Sequence, residues 1–266
     1  MKHTFGFIGT GNMGGALAKA AAKAGTELLL ANRTPEKAQA LAAALGCKAG
    51  TVAQAAQCGF IFLGVKPQMM AALLQDLSSQ LAARQDAFVL VSMAAGLTMA
   101  DIRRMAGADY PVIRIMPNTP VAVGSGLVMY DATENVTEDM LAVFLQQLSH
   151  AGKLDPLPES LMDAGSAVAG CGPAFAAMFM EALADGGVKC GLPRQKAMQY
   201  AAQMLLGTAQ LHLQTGEHPG QMKDAVCSPG GATIAGVEVL EKGGLRSAAM
   251  AAVTAAFLRT KELGKR

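Results

Sequence analysis

Charge is scarce in this chain. Only 16% of its 266 residues are Asp, Glu, Lys or Arg, and the signs nearly cancel, 22 basic against 20 acidic, for a net charge of +2. A protein that binds nucleic acid by neutralising phosphates needs a clustered cationic surplus, and neither a basic patch nor a basic arm is present, so that class is excluded. Cysteine is sparse as well: five residues, at 47, 58, 171, 190 and 227, an odd number with no close pairing. Neither a disulfide framework nor a zinc knuckle fits that spacing, and a reducing cytoplasm is the expected compartment. Cys227, beside a Gly-rich stretch, has a nucleophile's position, but a free cysteine is more often a small buried side chain. The four histidines are scattered without spaced ligand partners, and Glu181, Asp185 and Lys189 read as a surface charge ladder, so no metal site is expected.

Long uninterrupted apolar runs are also missing, although apolar residues make up 52% and mean hydropathy is +0.30. Residues 197–216 are long enough to span a bilayer but carry Gln199, Gln203, Gln210, His212 and Gln214, which make insertion costly. The windows 49–65 and 164–180 contain glutamine or a Gly-Cys-Gly-Pro break and read as soluble core. The run Thr4-Phe5-Gly6-Phe7-Ile8 is too short for a signal peptide, so export is not expected.

What is present falls into two styles. From residue 3 to about 157, β-branched or aromatic runs alternate with alanine-rich segments at helical spacing, the mark of a parallel sheet covered by helices. Strands are expected at 3–8, 27–31, 59–63, 88–92, 112–115 and 126–130, and helices near 12–24, 35–45, 68–83, 98–105 and 137–149. Beyond about 160 only helical patterns remain, broken at Gly170-Cys171-Gly172-Pro173, Gly191-Leu192-Pro193, 216–219, Ser228-Pro229-Gly230-Gly231 and Gly243-Gly244. The expected organisation is an α/β fold: a Rossmann-type domain over 1–157, then an all-helical domain over 158–266.

Gly9-Thr10-Gly11-Asn12-Met13-Gly14 follows the first strand and opens the first helix, the context in which this glycine pattern means a dinucleotide rather than an unliganded turn. Gly9 permits the tight turn, Gly11 lets a pyrophosphate approach the backbone, and Gly14 allows helix and strand to pack closely. The second strand ends Ala31-Asn32-Arg33-Thr34, without the carboxylate that would hold an NAD ribose and repel a 2′-phosphate. Arg33 can fork onto such a phosphate, with Asn32 and Thr34 donating beside it, so NADPH is favoured over NADH. The alternative, a solvated Arg33 before a helix, still disfavours NAD.

In the hydroxyisobutyrate and phosphogluconate dehydrogenases, whose fingerprint resembles this one, a lysine after a Gly-rich interdomain stretch handles the substrate oxygen's proton. The corresponding residues here, 164–173, contain no lysine. Ser228 is a natural N-cap, Pro229 a natural first helical residue, and Gly230 and Gly231 bare their N–H groups; such a helix start binds a carboxylate, or is simply a cap.

Three separated stretches are similar to the pyrroline-5-carboxylate reductase family: Val65-Lys66-Pro67, Met116-Pro117-Asn118-Thr119-Pro120, and Ser228-Pro229-Gly230-Gly231-Ala232-Thr233. Gly170-Cys171-Gly172-Pro173-Ala174-Phe175 and Leu240-Glu241-Lys242-Gly243-Gly244-Leu245-Arg246 extend the likeness nearly end to end. The resemblance implies NADPH-dependent reduction of 1-pyrroline-5-carboxylate to proline. It implies that Val65, Lys66, Pro67, Met93, Ala94 and Ala95 line the nicotinamide half of the cofactor, with Asn118 near nicotinamide and substrate. It further implies that Ser228, Gly230, Gly231 and Ala232 hold the substrate, with the Thr233 hydroxyl facing the ring nitrogen. Lys66 as a solvated loop charge, and a hydroxyacid dehydrogenase, a broader imine reductase or a non-catalytic NADP sensor, are the rival readings. The helical half carries more apolar surface, at Met198, Ala202, Leu205, Ala209 and Leu213 among others, than about a hundred residues bury alone, which predicts a homodimer or an oligomer built from dimers.

Overall fold

A computed structural model describes residues 1–263. The strands are β1 Thr4–Ile8, β2 Glu27–Ala31, β3 Lys48–Ala49, β4 Phe60–Leu63, β5 Val89–Ser92, β6 Val112–Pro117, β7 Gly126–Ala132 and β8 Gly152–Pro156. Between and around them lie α1 Asn12–Lys23, α2 Pro35–Leu45, α3 Val52–Ala55, α4 Met70–Ala82, α5 Met99–Ala106, α6 Glu138–Gln147 and α7 Glu159–Gly165. The remaining helices are α8 Gly172–Lys189, α9 Arg194–Thr215, α10 Pro219–Ala225, α11 Ala232–Lys242 and α12 Leu245–Leu263.

All eight strands form one sheet in the order β3-β2-β1-β4-β5-β6-β7-β8. Phe5, Phe7, Phe60 and Phe62 alternate onto one face, where Phe7 stacks on Phe62 at 4.2 Å and Phe144 of α6 completes the cluster; Ile8, Ile61, Leu63 and Leu90 fill the other. Burial on both faces is why these strands read as continuous apolar runs. The sheet is parallel from β3 through β6, as expected, but β7 runs antiparallel to β6. Residues 118–125 form only a short 3-10 turn there, too little chain for the crossover a parallel neighbour needs. Strands β3 and β8 and helix α3 were not anticipated. Two residues are too few to show alternation, and β8, Gly-Lys-Leu-Asp-Pro, holds one large apolar side chain.

The chain separates into two compact units, one of Met1–Cys171 with residues 256–263, the other Gly172–Ala255. The first unit thus runs past residue 157, where the sequence placed the junction: Met162 of α7 is fully buried, and α7 packs on β7. Nor does Gly170-Cys171-Gly172-Pro173 break the helix. Glu159–Lys189 is helical throughout and by length and composition could cross a membrane, so residues 164–180 are not an interrupted segment. Proline is accommodated because Ser166–Gly170 widens into a π-helical turn, with the Cys171 N–H donating to the Ser166 carbonyl at 2.9 Å.

Within Gly172–Ala255 the breaks at 191–193, 216–219, 228–231 and 243–244 all fall between helices. Asp185 of the expected ladder pairs with Arg194 at the start of α9. Among the described residues of this unit, the buried apolar side chains are three alanines, Ala184, Ala197 and Ala201. Met178, Leu213, Val239 and Met250 are each at least 66% exposed.

Candidate functional site

The strand order reverses between β1 and β4, and in a doubly wound sheet the crevice outside the carboxyl ends at such a point receives the ligand. Five adjacent carboxyl ends, those of β2, β1, β4, β5 and β6, carry in turn Asn32, Arg33 and Thr34; residues 9–14; Val65, Lys66 and Pro67; Met93, Ala94 and Ala95; and Asn118. The fold therefore brings every nucleotide-site residue expected from sequence onto one edge of one sheet, with Asn118 beside them.

Gly9 sits at φ +104°, and its N–H donates to the Ala31 carbonyl at 2.8 Å. A Cβ at Gly14 would lie 2.3 Å from the Gly9 carbonyl oxygen, so the helix approaches the strand end as only glycine allows. Gly11 is the N-cap of α1; no side chain caps the helix, and a Cβ there would meet open space. The first N–H groups of α1 are thus free for an anion. Thr10 adds a buried hydroxyl with no hydrogen-bond partner among the described residues, a donor positioned in the same turn. The donor set, the open approach and the orphan hydroxyl fit a dinucleotide pyrophosphate.

At the end of β2, Arg33 and Thr34 are exposed. Among the described residues the Arg33 guanidinium makes no hydrogen bond or ion pair, and the Asn32 amide donates weakly to the Thr34 carbonyl at 3.4 Å. Thr34 is the N-cap of α2 with its hydroxyl uncommitted and Pro35 following. Lys66, also exposed, opens the 3-10 turn Pro67–Met69. Ala94 is buried, with its N–H near the Ser92 hydroxyl at 3.4 Å.

Behind this edge lies a polar cluster that no sequence motif marks. Arg114, 3% exposed in the middle of β6, pairs with Glu159 at 3.1 Å and Asp163 at 3.2 Å, both on α7. The Glu159 carboxylate also accepts from the Met99 N–H at 2.8 Å, and its own N–H donates to Asp131 at 2.6 Å. The available signal was one arginine inside the buried run Val-Ile-Arg-Ile-Met. At the start of α5, burial pushes the Asp101 carboxyl up, but hydrogen bonds from Thr98, with Arg104 and Arg114 nearby, bring it below the ordinary carboxylate value.

In the helical unit, Ser228 is not a helix cap. Pro229 and Gly230, the latter at φ +64°, close a turn in which the Gly231 N–H donates to the Ser228 carbonyl at 3.0 Å. This proline-then-positive-φ-glycine pattern ends a β-turn rather than starting a helix. The N-cap moves three residues on to Gly231, and α11 opens at Ala232 without any side-chain cap, leaving its first N–H groups uncommitted beside the exposed Thr233 hydroxyl. Cys227 just before the turn is half-buried, and all five cysteines are free thiols.

Comparison with known proteins follows the same outline. Residues 159–263 match the family model for pyrroline-5-carboxylate reductase dimerisation, and residues 4–96 that for NADP oxidoreductase, coenzyme F420-dependent. The pyrroline-5-carboxylate reductase of Synechocystis sp. is 47% identical over 77% of this chain and 75% of its own. A crystal structure of the Plasmodium falciparum pyrroline carboxylate reductase with NADP bound superposes with a TM-score of 0.88 over 98% of both chains at 29% identity. The Escherichia coli enzyme of the same name is 38% identical over the full length of both chains, a likeness spanning the sheet edge and the α11 turn alike, and by it this chain belongs to the pyrroline-5-carboxylate reductase family.

Proposed function

We infer that this chain reduces 1-pyrroline-5-carboxylate to L-proline with NADPH, the last step of proline biosynthesis. The observation that carries the reading is the carboxyl edge of the sheet, where the open, uncapped α1 N-terminus and the unpartnered Thr10 hydroxyl form a pyrophosphate bed one strand away from an unengaged Arg33. In the assignment proposed, residues 9–14 hold the pyrophosphate, Asn32, Arg33 and Thr34 hold the 2′-phosphate, and Val65, Lys66, Pro67, Met93, Ala94 and Ala95 border the nicotinamide.

The bound nicotinamide supplies a hydride at its C4. The chain's own task is to hold the carboxylate and the ring nitrogen of a cyclic imine. The first N–H groups of α11, behind Ser228, Gly230 and Gly231, suit the substrate carboxylate, and Thr233 suits the ring nitrogen. Delivered to C5 of a protonated imine, that hydride would turn the C=N π pair into the nitrogen lone pair and give a secondary amine. No separate acid is needed, which agrees with a stretch 164–173 that holds no lysine.

The functional division proposed is a cofactor domain over 1–157 and a substrate and dimerisation domain over 158–266. A homodimer is supported by a helical unit that buries only alanines while exposing Met178, Leu213, Val239 and Met250. We assign this surface, and the apolar Glu159–Lys189 helix, to a second copy of the chain rather than to a bilayer, and the protein to the cytoplasm, where an exposed thiol such as Cys190 stays reduced. Light scattering tests the dimer: a mass of two chains or a multiple is expected, and monomer alone contradicts it. NADPH oxidation with pyrroline-5-carboxylate tests the activity.

A further inference from the structure

Asn118, at the end of β6, uses both ends of its carboxamide. Its Oδ1 accepts from the Leu127 N–H at 2.9 Å, tying the turn to β7, and its Nδ2 donates to the Ala169 carbonyl at 3.0 Å. One partner is a donor and the other an acceptor, so the orientation of the amide is dictated by the pair. Ala169 lies in the π-helical turn Ser166–Gly170. In an unbroken α-helix its carbonyl would receive the N–H of residue 173, four places on. Residue 173 is proline, which has no N–H and whose ring crowds that carbonyl. The wider turn makes room for the ring, and Asn118 supplies the donor that Pro173 lacks.

The location gives this bond a consequence. The 3-10 turn Thr119–Val123 that follows Asn118 packs on α1, the helix whose N-terminus forms the nucleotide bed. The π-helical turn ends beside Cys171, where the first compact unit ends. We propose that Asn118 is a positioning residue, a strut that holds the Ala169 carbonyl in place of the missing Pro173 N–H, rather than a ligand of nicotinamide or substrate. Its catalytic consequence rests on the imine-reductase reading above; the strut itself does not.

The test is a double-mutant cycle of Asn118→Ala and Pro173→Ala, read in kcat and KM and, independently of activity, in hydrogen exchange of residues 164–175. A strut predicts that Asn118→Ala lowers kcat about ten-fold or more and speeds exchange in that segment. Pro173→Ala returns a backbone donor to the Ala169 carbonyl, so in its presence the Asn118→Ala loss shrinks to about three-fold or less and the exchange slows again. Asn118→Asp keeps the acceptor for Leu127 but sets a charged carboxylate oxygen against the Ala169 carbonyl where the donor stood, and is expected to lose at least as much kcat as Asn118→Ala. A loss of equal size with Pro173 intact or replaced, a loss confined to substrate KM, or full activity of Asn118→Asp overturns the proposal. If the wild-type protein turns over no pyrroline-5-carboxylate, the functional reading fails while the exchange cycle still decides the strut.

Discussion

A Cβ built on Gly9 would stand 2.4 Å from the carbonyl oxygen of Gly64, and one built on Gly64 would stand 2.4 Å from the carbonyl oxygen of Gly9. The ends of β1 and β4 are thus pressed together at the point where the strand order reverses, and neither residue has room for a side chain. Gly9→Ala adds an unfavourable positive φ to that contact, so a loss of about 2–4 kcal/mol in urea denaturation is expected. Gly11→Ala is the contrasting case, because its Cβ meets open space at φ −68°. It should fold with stability within about 1 kcal/mol of wild type, the cost of alanine at an N-cap, yet bind NADPH at least about ten-fold more weakly. Normal NADPH affinity in Gly11→Ala would move the pyrophosphate elsewhere.

Arg33 decides between the two nicotinamide cofactors. It stands exposed and unengaged at the end of β2, and no carboxylate accompanies it in Ala31-Asn32-Arg33-Thr34. Losing a charge-assisted contact to a 2′-phosphate corresponds to about 1.5–3 kcal/mol. Steady-state kinetics of Arg33→Ala should therefore show KM for NADPH raised roughly ten-fold or more with NADH unchanged. An equal effect on both cofactors removes the 2′-phosphate role.

Thr233 lies in the first turn of α11, where no side chain caps the helix. If its hydroxyl meets the ring nitrogen during hydride transfer, Thr233→Ala should reduce kcat/KM by about 1–3 kcal/mol of transition-state stabilisation. Thr233→Ser, which keeps the hydroxyl, should recover most of it. An unchanged kcat/KM in Thr233→Ala takes the residue out of the mechanism.

Arg114 is a prediction about stability. Its guanidinium is buried while Glu159 and Asp163 keep about a quarter of their side-chain surface in solvent. Removing one member of a buried ion pair typically costs 3–5 kcal/mol, and the partial exposure of the carboxylates places Arg114→Met near the lower end, about 3 kcal/mol. Chemical denaturation measures it, and a change under about 1 kcal/mol contradicts the view that the cluster anchors α7 on the sheet.

The parts of this protein that repeat a local rule were legible in its sequence. Phe60-Ile61-Phe62-Leu63 announced a doubly buried strand because both faces of a parallel sheet are covered, and residues 9–14 announced a nucleotide turn because each glycine has its own steric duty. What escaped depends on contacts distant along the chain. Gly170-Cys171-Gly172-Pro173 reads as a stop, yet a π-helical turn and the Asn118 amide, about fifty residues away, carry the helix through it. Ser228 reads as a cap because Ser-Pro often opens a helix, but the positive φ of Gly230 closes a turn first and hands the cap to Gly231. Arg114 was invisible as an anchor because its carboxylates lie on a helix 45 and 49 residues later.

Reduction of a cyclic imine with NADPH is measured by following NADPH consumption and proline formation together after adding pyrroline-5-carboxylate to the purified protein. One proline is expected for each NADPH oxidised, with a lower kcat/KM when NADH replaces it. Tight NADPH binding without oxidation, or oxidation without proline, would contradict it.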